Sequence, residues 1–376
     1  MKTRHQILIL IFSLLSGGLF AQKLSFQGQL SNWATVNSSN QVDAQVGSRY
    51  IPILKFKKDT IAKGKIDAEV SMNMYGSAFI GSWDQINMDG TIKPYRMWLR
   101  YSRPQFEIRA GLQKINFGSA NTLRPLMWFD RMDPRDPLQL TDGVYGLLGR
   151  YYFLNNANLW LWCLYGNKDT KGWEAAPTQK REPEFGGRIQ YPVSTGELAF
   201  SAHYRKADLS QVKEEYPSDI MENRIALDGK WDMEAGVWFE AALIKKQTDS
   251  TFLKNQKMLT LGMDYTFGLG NGLNVATEFF MFDNSPEVNE FNNGFAFSTL
   301  SANYPLGLID NVSAMVYYDW TNKELYRFVN WNRTYDNWQV YLMAFWNPDQ
   351  FQIYPNLQEG SLFAGKGIQI MIVWNH

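Results

Sequence analysis

Residues 65–80 read Lys-Ile-Asp-Ala-Glu-Val-Ser-Met-Asn-Met-Tyr-Gly-Ser-Ala-Phe-Ile, and their period decides the fold. Ile66, Ala68, Val70, Met72, Met74, Gly76, Ala78 and Ile80 share one phase, while Lys65, Asp67, Glu69, Ser71 and Asn73 share the other. Alternation at every second residue is that of a strand with one apolar and one wet face, and a helix would bring both sets onto the same side. The stretch exceeds the roughly 9 to 11 residues with which a tilted strand crosses hydrocarbon. It predicts a spanning strand with Met72 toward lipid and Asn73 toward a water-filled interior.

The same alternation recurs outward from this segment. It is seen in Leu24, Phe26, Gly28 and Leu30; in Phe106, Ile108, Ala110 and Leu112; and in Leu198, Phe200, Ala202 and Tyr204. Later instances run through Leu259 to Phe267, Leu273 to Met281, Val312 to Trp320 and Trp338 to Trp346. The expectation is an all-β chain, a transmembrane antiparallel β-barrel of about 16 to 18 strands. Connections alternate in length. Segments 57–61, 102–105, 154–158, 192–197, 232–236 and 268–272 are short and turn-rich, whereas 81–91, 117–142, 166–183, 207–219, 283–293 and 347–360 are mostly longer and more polar. In a membrane barrel these are periplasmic turns and extracellular loops. Tyr204, Tyr265, Phe267, Tyr318, Trp320, Trp338, Trp346 and Trp374 fall toward strand ends in the apolar phase, as interfacial girdles do. A soluble β-sandwich also has one apolar strand face, but it needs far fewer strands.

Composition narrows the alternatives. Of the 376 residues 45% are apolar and 20% charged, with 37 Lys and Arg against 37 Asp and Glu and one cysteine, so disorder, a disulfide framework and a basic footprint for nucleic acid are not indicated. Lys2, Arg4 and His5 precede an apolar run from Ile7 to Leu15 and the small residues Ser16, Gly17 and Gly18, the order of a secretory signal peptide cut after Ala21. Residues 1–21 would be removed and 22–376 form the barrel. The sole cysteine, Cys163, lies in an apolar strand pattern with Leu159, Leu161 and Tyr165, a lipid-facing position unsuited to a lipid anchor or redox work. After Gln22 no apolar run is long enough for a spanning helix.

The final residues GKGIQIMIVWNH resemble the terminal strand of Gram-negative outer-membrane porins, with Gly367, Ile370, Ile372 and Trp374 in the glycine-then-alternating-apolar pattern that the barrel assembly machinery recognises. The chain departs from that pattern by adding Asn375 and His376 after the last aromatic. A leader ending in Ala21-Gln22 resembles those of Bacteroidota outer-membrane proteins. The resemblance implies an outer-membrane location, contact with outer-membrane lipid, passive diffusion of small hydrophilic solutes or ions, and a possible homo-oligomer. In general porins the loop at the place of 117–142 folds inward. The other reading is a non-conducting accessory or structural barrel that supports surface-polymer export or an envelope complex.

Loop 117–142 carries Arg124, Arg131 and Arg135 alternating with Asp130, Asp133 and Asp136, stiffened by Pro125, Pro134 and Pro137. Inside a pore such charges form a constriction with a transverse field. On an outer cap the same residues only pair with one another, and the sequence leaves both open. Arg96 and Arg100 flank Trp98 on one strand, with Glu107 and Arg109 on the next, as candidate pore lining facing the loop. No cofactor or metal site is indicated. Asp-Pro pairs break the regular ligand spacing of a calcium loop, and His203 and His376 are too few for a histidine metal site or a catalytic dyad. The chain does not read as an enzyme.

Overall fold

The computed structural model describes residues 22–38, 44–59, 63–82, 85–212, 219–248, 254–349 and 363–376. The proposed leader 1–21, and parts of the connections 57–61, 81–91, 207–219 and 347–360, lie outside the described residues. Eighteen strands follow one another: β1 (Gln22–Asn37), β2 (Ala44–Asp59), β3 (Lys65–Ser82), β4 (Gln85–Arg103), β5 (Phe106–Gln113) and β6 (Val144–Tyr152). Next come β7 (Asn158–Leu164), β8 (Glu184–Val193), β9 (Gly196–Ala207), β10 (Ile220–Asp232), β11 (Gly236–Lys246) and β12 (Asn255–Phe267). The series ends with β13 (Leu273–Ser285), β14 (Asn293–Pro305), β15 (Asp310–Asp319), β16 (Glu324–Thr334), β17 (Trp338–Trp346) and β18 (Lys366–Asn375). Each strand pairs antiparallel with its sequence neighbours, and Leu30 to Trp374 through Asn37 to Gly367 joins β1 to β18. The sheet is therefore a closed barrel without an edge strand, so the ladder of hydrogen bonds continues around the wall where lipid offers no partners.

The segment that decided the fold lies wholly in β3. Asp67, Ser71, Asn73 and Ser77 are buried toward the interior, whereas Val70 and Met74 are exposed on the outer face. The same split holds around the wall, as at Leu161, 58% exposed beside Trp162 at 3%. So many large apolar side chains facing outward would be an aggregation hazard in water, and they suit a lipid-facing belt. Cys163 is half-buried in the outward phase, between inward Trp162 and Leu164.

Connections between even strands and the following odd strand are short, such as 104–105, 153–157, 194–195, 233–235 and 306–309. At the opposite end they include 114–143 and 165–183, but also the brief 320–323. The reading of 81–91 as a longer connection is corrected: β4 begins at Gln85 and pairs with β3 from Ser82 downward. Ile86, Met88 and Ile92 alternate there with Asn87, Asp89 and Thr91, a strand signature that the polar composition hid. β4 also carries an irregularity that matters for the site. Ser71 pairs with Arg96 and Met72 with Pro94, so Tyr95 is an extra residue, a bulge. Below it the inward phase shifts from Asp89, Thr91 and Lys93 to Arg96, Trp98 and Arg100.

Candidate functional site

Connection 114–143 folds into the barrel. Two wall glutamates hold it: Ala120 and Leu126 donate their backbone N–H groups to Glu240 at 2.7 and 3.0 Å, and Asn121, Thr122 and Leu123 donate theirs to Glu278 at 2.6, 2.9 and 2.8 Å. Trp238 Nε1 also donates to Glu278, and Thr260 Oγ1 donates to the Leu123 carbonyl. Buried carboxylates are costly unless they collect several donors, and here the donors are loop amides that the wall would otherwise leave unpaired. Gly118 has φ +108° and lies against Glu240, where a Cβ would collide with the carboxylate. Beneath this clamp Phe117 stacks on Trp162 at 5.6 Å, and Phe129 packs edge-on against Trp162 and His203.

A second segment enters beside the first. Trp173, in the connection 165–183, stacks on Phe280 at 4.7 Å and donates its indole N–H to the Arg124 carbonyl at 2.9 Å. Gly172 donates to the Asp130 carbonyl at φ +41°, so close to Met127 that any side chain would clash. Glu174 reaches Arg224 at 2.5 Å and Arg205 at 3.1 Å, and Glu222 bonds Arg205 at 2.5 Å with Lys246 3.5 Å away. Arg188 pairs with Asp228, which also accepts from Ser119 Oγ. His203 accepts from Trp162 Nε1 at its Nδ1, which leaves the proton on Nε2, 3.2 Å from Glu184. Nothing in the period of the sequence marked 165–183 as inward; the interior-phase carboxylates Glu240 and Glu278 were the available signal for what would grip a loop.

The six charged residues singled out in the first loop separate into a buried pair, a cavity-lining trio and Arg135. Arg124 and Asp130 are 3% and 1% exposed and pair with each other at 3.0 Å within the loop. Arg131, Asp133 and Asp136 instead line a cavity of about 370 Å³ between the loop and the wall of β1 to β4 and β18. Arg135 stands behind them, bonding Asp133 at 2.6 Å and lying over the Phe363 ring. Of the four wall candidates, Arg96 meets the loop, donating to the Thr141 carbonyl at 2.8 Å. Arg100, Glu107 and Arg109 do not; they form a cluster with Asp67 and Arg150, in which Arg100 grips Asp67 at 2.5 to 2.8 Å.

The cavity adds residues that the sequence did not single out. Arg49 lies over Trp33 and Tyr75, which stack on each other at 5.6 Å, and it makes no ion pair among the described residues. Lys93 bonds Asp142 at 2.7 Å. Burial opposes the charged form of Asp142, yet the hydrogen bond and charge of Lys93 outweigh it and hold this carboxyl below its usual range. For Asp136 burial prevails over the amides of Leu138 and Leu140 and over Arg49, so its pKa is raised. A second cavity of about 450 Å³ lies beyond Tyr95 and Leu140, with Gln27, Gln29, Asn337 and Asn375 in its walls.

No protein-family model matches the sequence, and no curated protein matches it. Solved structures do match. OccK5 (OpdH) of Pseudomonas aeruginosa superposes with a TM-score of 0.58 at 11% identity, over 94% of this chain and 98% of its own. OccAB1 of Acinetobacter baumannii gives 0.58 at 10% identity, over 94% and 96%. At such identities the likeness is one of fold: this chain is similar to both barrels along nearly its whole length.

Proposed function

We propose that the barrel is an outer-membrane channel for passive diffusion of small hydrophilic solutes or ions. The observation that carries this reading is the polar cavity between the inward loop and the β1 to β4 wall, which leaves one side of the lumen unfilled. Arg49, Asn73, Asp89, Thr91, Lys93 and Arg131 all line it, so a hydrophilic solute would meet charged and polar side chains there. The similarity to OccK5 and OccAB1 supports the fold this function needs. In the same reading residues 1–21 are a cleaved leader, the short connections face the periplasm and the longer ones the outside, and a Bacteroidota source, barrel assembly machinery and homo-oligomers complete the picture. Arg131, Asp133 and Asp136 supply the loop charges that act on ion selectivity, Arg96 braces the loop, and the cluster of Arg100, Glu107 and Arg109 lines the pore below. Arg124, Asp130 and Arg135 shape the loop from inside. Catalysis has no part in it.

A second reading has an observation of its own. Buried ion pairs and glutamate clamps fix both inward segments to the wall, as an accessory barrel plugged by its loops would require. Single-channel recording in planar bilayers separates the two: discrete steps support the channel, and silence with correctly folded barrel supports the plugged accessory role.

A further inference from the structure

Resting on the channel reading, we infer that the size limit of the pathway is set by Tyr95 and Leu140, with Arg96 as the strut between them, and not by the charged run of the loop. Tyr95 and Leu140 are common to the linings of both cavities, so a solute moving from the charged upper chamber to the amide-walled lower one passes between them. Both are held from behind. Tyr95 is the extra residue of the β4 bulge, which turns its side chain inward next to Arg96, although neighbours in a regular strand face opposite ways. The Arg96 guanidinium lies 3.9 Å over the Tyr95 ring, donates to the Tyr95 carbonyl at 2.6 Å and reaches the Thr141 carbonyl across the gap. Wall and loop are thus tied at the residue following Leu140.

On the loop side Asp136 accepts from the Leu140 amide at 3.1 Å, and Gln139 holds φ +46°, a left-handed conformation that a side-chain-bearing residue adopts only when its surroundings enforce it. The neck therefore presents a phenol and an aliphatic side chain at fixed positions. The upper chamber offers charges and the lower one amide side chains beside Ile51, Ile53 and His376, so the pair acts on the width of a solute and the chambers on its polarity. The admitted class is slim polar molecules.

The test is polymer exclusion in planar bilayers, with poly(ethylene glycol) of graded mass added to the wild type and to Tyr95→Ala, Tyr95→Phe, Leu140→Ala and Arg131→Ala. The inference expects Tyr95→Ala and Leu140→Ala each to raise conductance roughly twofold and to admit larger polymers, because the side chains removed narrow the path itself. Tyr95→Phe keeps the ring and the wild-type cut-off. Arg131→Ala, at the upper chamber only, changes selectivity and leaves the cut-off in place. Heat-modifiable gel mobility establishes that each variant is folded; should one neck variant fail to fold, the one on the opposite side carries the test. A conducting wild type whose cut-off is untouched by folded neck variants overturns the neck and spares the channel. A silent wild type overturns both.

Discussion

The two sides of the lumen are built from the same kind of strand and do opposite things. Along β9 to β13 the inward side chains include Arg205, Glu222, Arg224, Asp228, Glu240, Lys246 and Glu278, each of these 2% exposed or less and matched to a loop group or to a neighbouring wall charge. Along β1 to β4 the inward side chains include Arg49, Asp89, Thr91 and Lys93, which line a cavity. Charge alone therefore does not make a pore lining. What distinguishes the sides is whether a loop supplies donors and counter-charges close enough to exclude water.

The contrast can be broken first where the packed side is most exposed to loss. Glu222→Leu removes the carboxylate shared by Arg205, Arg224 and Lys246 and leaves buried cations short of partners, which costs about 3 to 5 kcal/mol. Urea unfolding followed by heat-modifiable gel mobility reads this loss; an unchanged midpoint would mean that the network is wet. Smaller is the cost on the outer face. Val70→Arg places a charge against hydrocarbon and should cost roughly 2 to 4 kcal/mol, while Thr91→Arg in the cavity stays within about 0.5 kcal/mol, and folding yields into lipid vesicles compare the two.

Acidification sharpens the comparison on the open side. The raised pKa of Asp136 means that its charge is lost first as pH falls, whereas the depressed Asp142 keeps its own. Between about pH 7 and about pH 4 the reversal potential under a salt gradient should therefore move toward anions, and Asp136→Asn should remove most of that movement. For stability the signs are opposite. The charged form of Asp136 is penalised in the fold and relieved as pH drops through its raised pKa, while Asp142 contributes above its unfolded value and loses that contribution only as pH falls through its lower folded one. The smallest effect belongs to Arg49→Ala. It removes one partly screened cation and should shift selectivity modestly toward cations without altering the unfolding midpoint by more than about 1 kcal/mol.

A range of 16 to 18 strands that contains the observed eighteen, and the inward or outward sense of the strands singled out, were legible, because lipid on one side and water on the other write a period of two into the chain. Val70 and Ser71 show this within two residues. Tyr95 was not legible: a bulge adds one residue to one strand, and the phase change from Lys93 to Arg96 reads as a flaw in the pattern until the partner strand is known. The six charged loop residues stood out by composition, yet their division into the buried pair of Arg124 with Asp130, the cavity group of Arg131, Asp133 and Asp136, and Arg135 behind that group depends on the turns of a loop without period. The entry of Trp173 depends on Phe280 across the lumen, more than a hundred residues along the chain.

The most direct measurement of the central claim, that solutes pass along one side of a half-filled lumen, is site-directed blockage. In a Cys163→Ser background, Thr91→Cys places a thiol in the open cavity and Thr260→Cys places one beneath the loop, against the Leu123 carbonyl. A bulky, membrane-impermeant methanethiosulfonate reagent applied to single channels should reduce the current through Thr91→Cys sharply and leave Thr260→Cys unchanged. Block at Thr260→Cys with none at Thr91→Cys would place the pathway on the packed side and contradict the account.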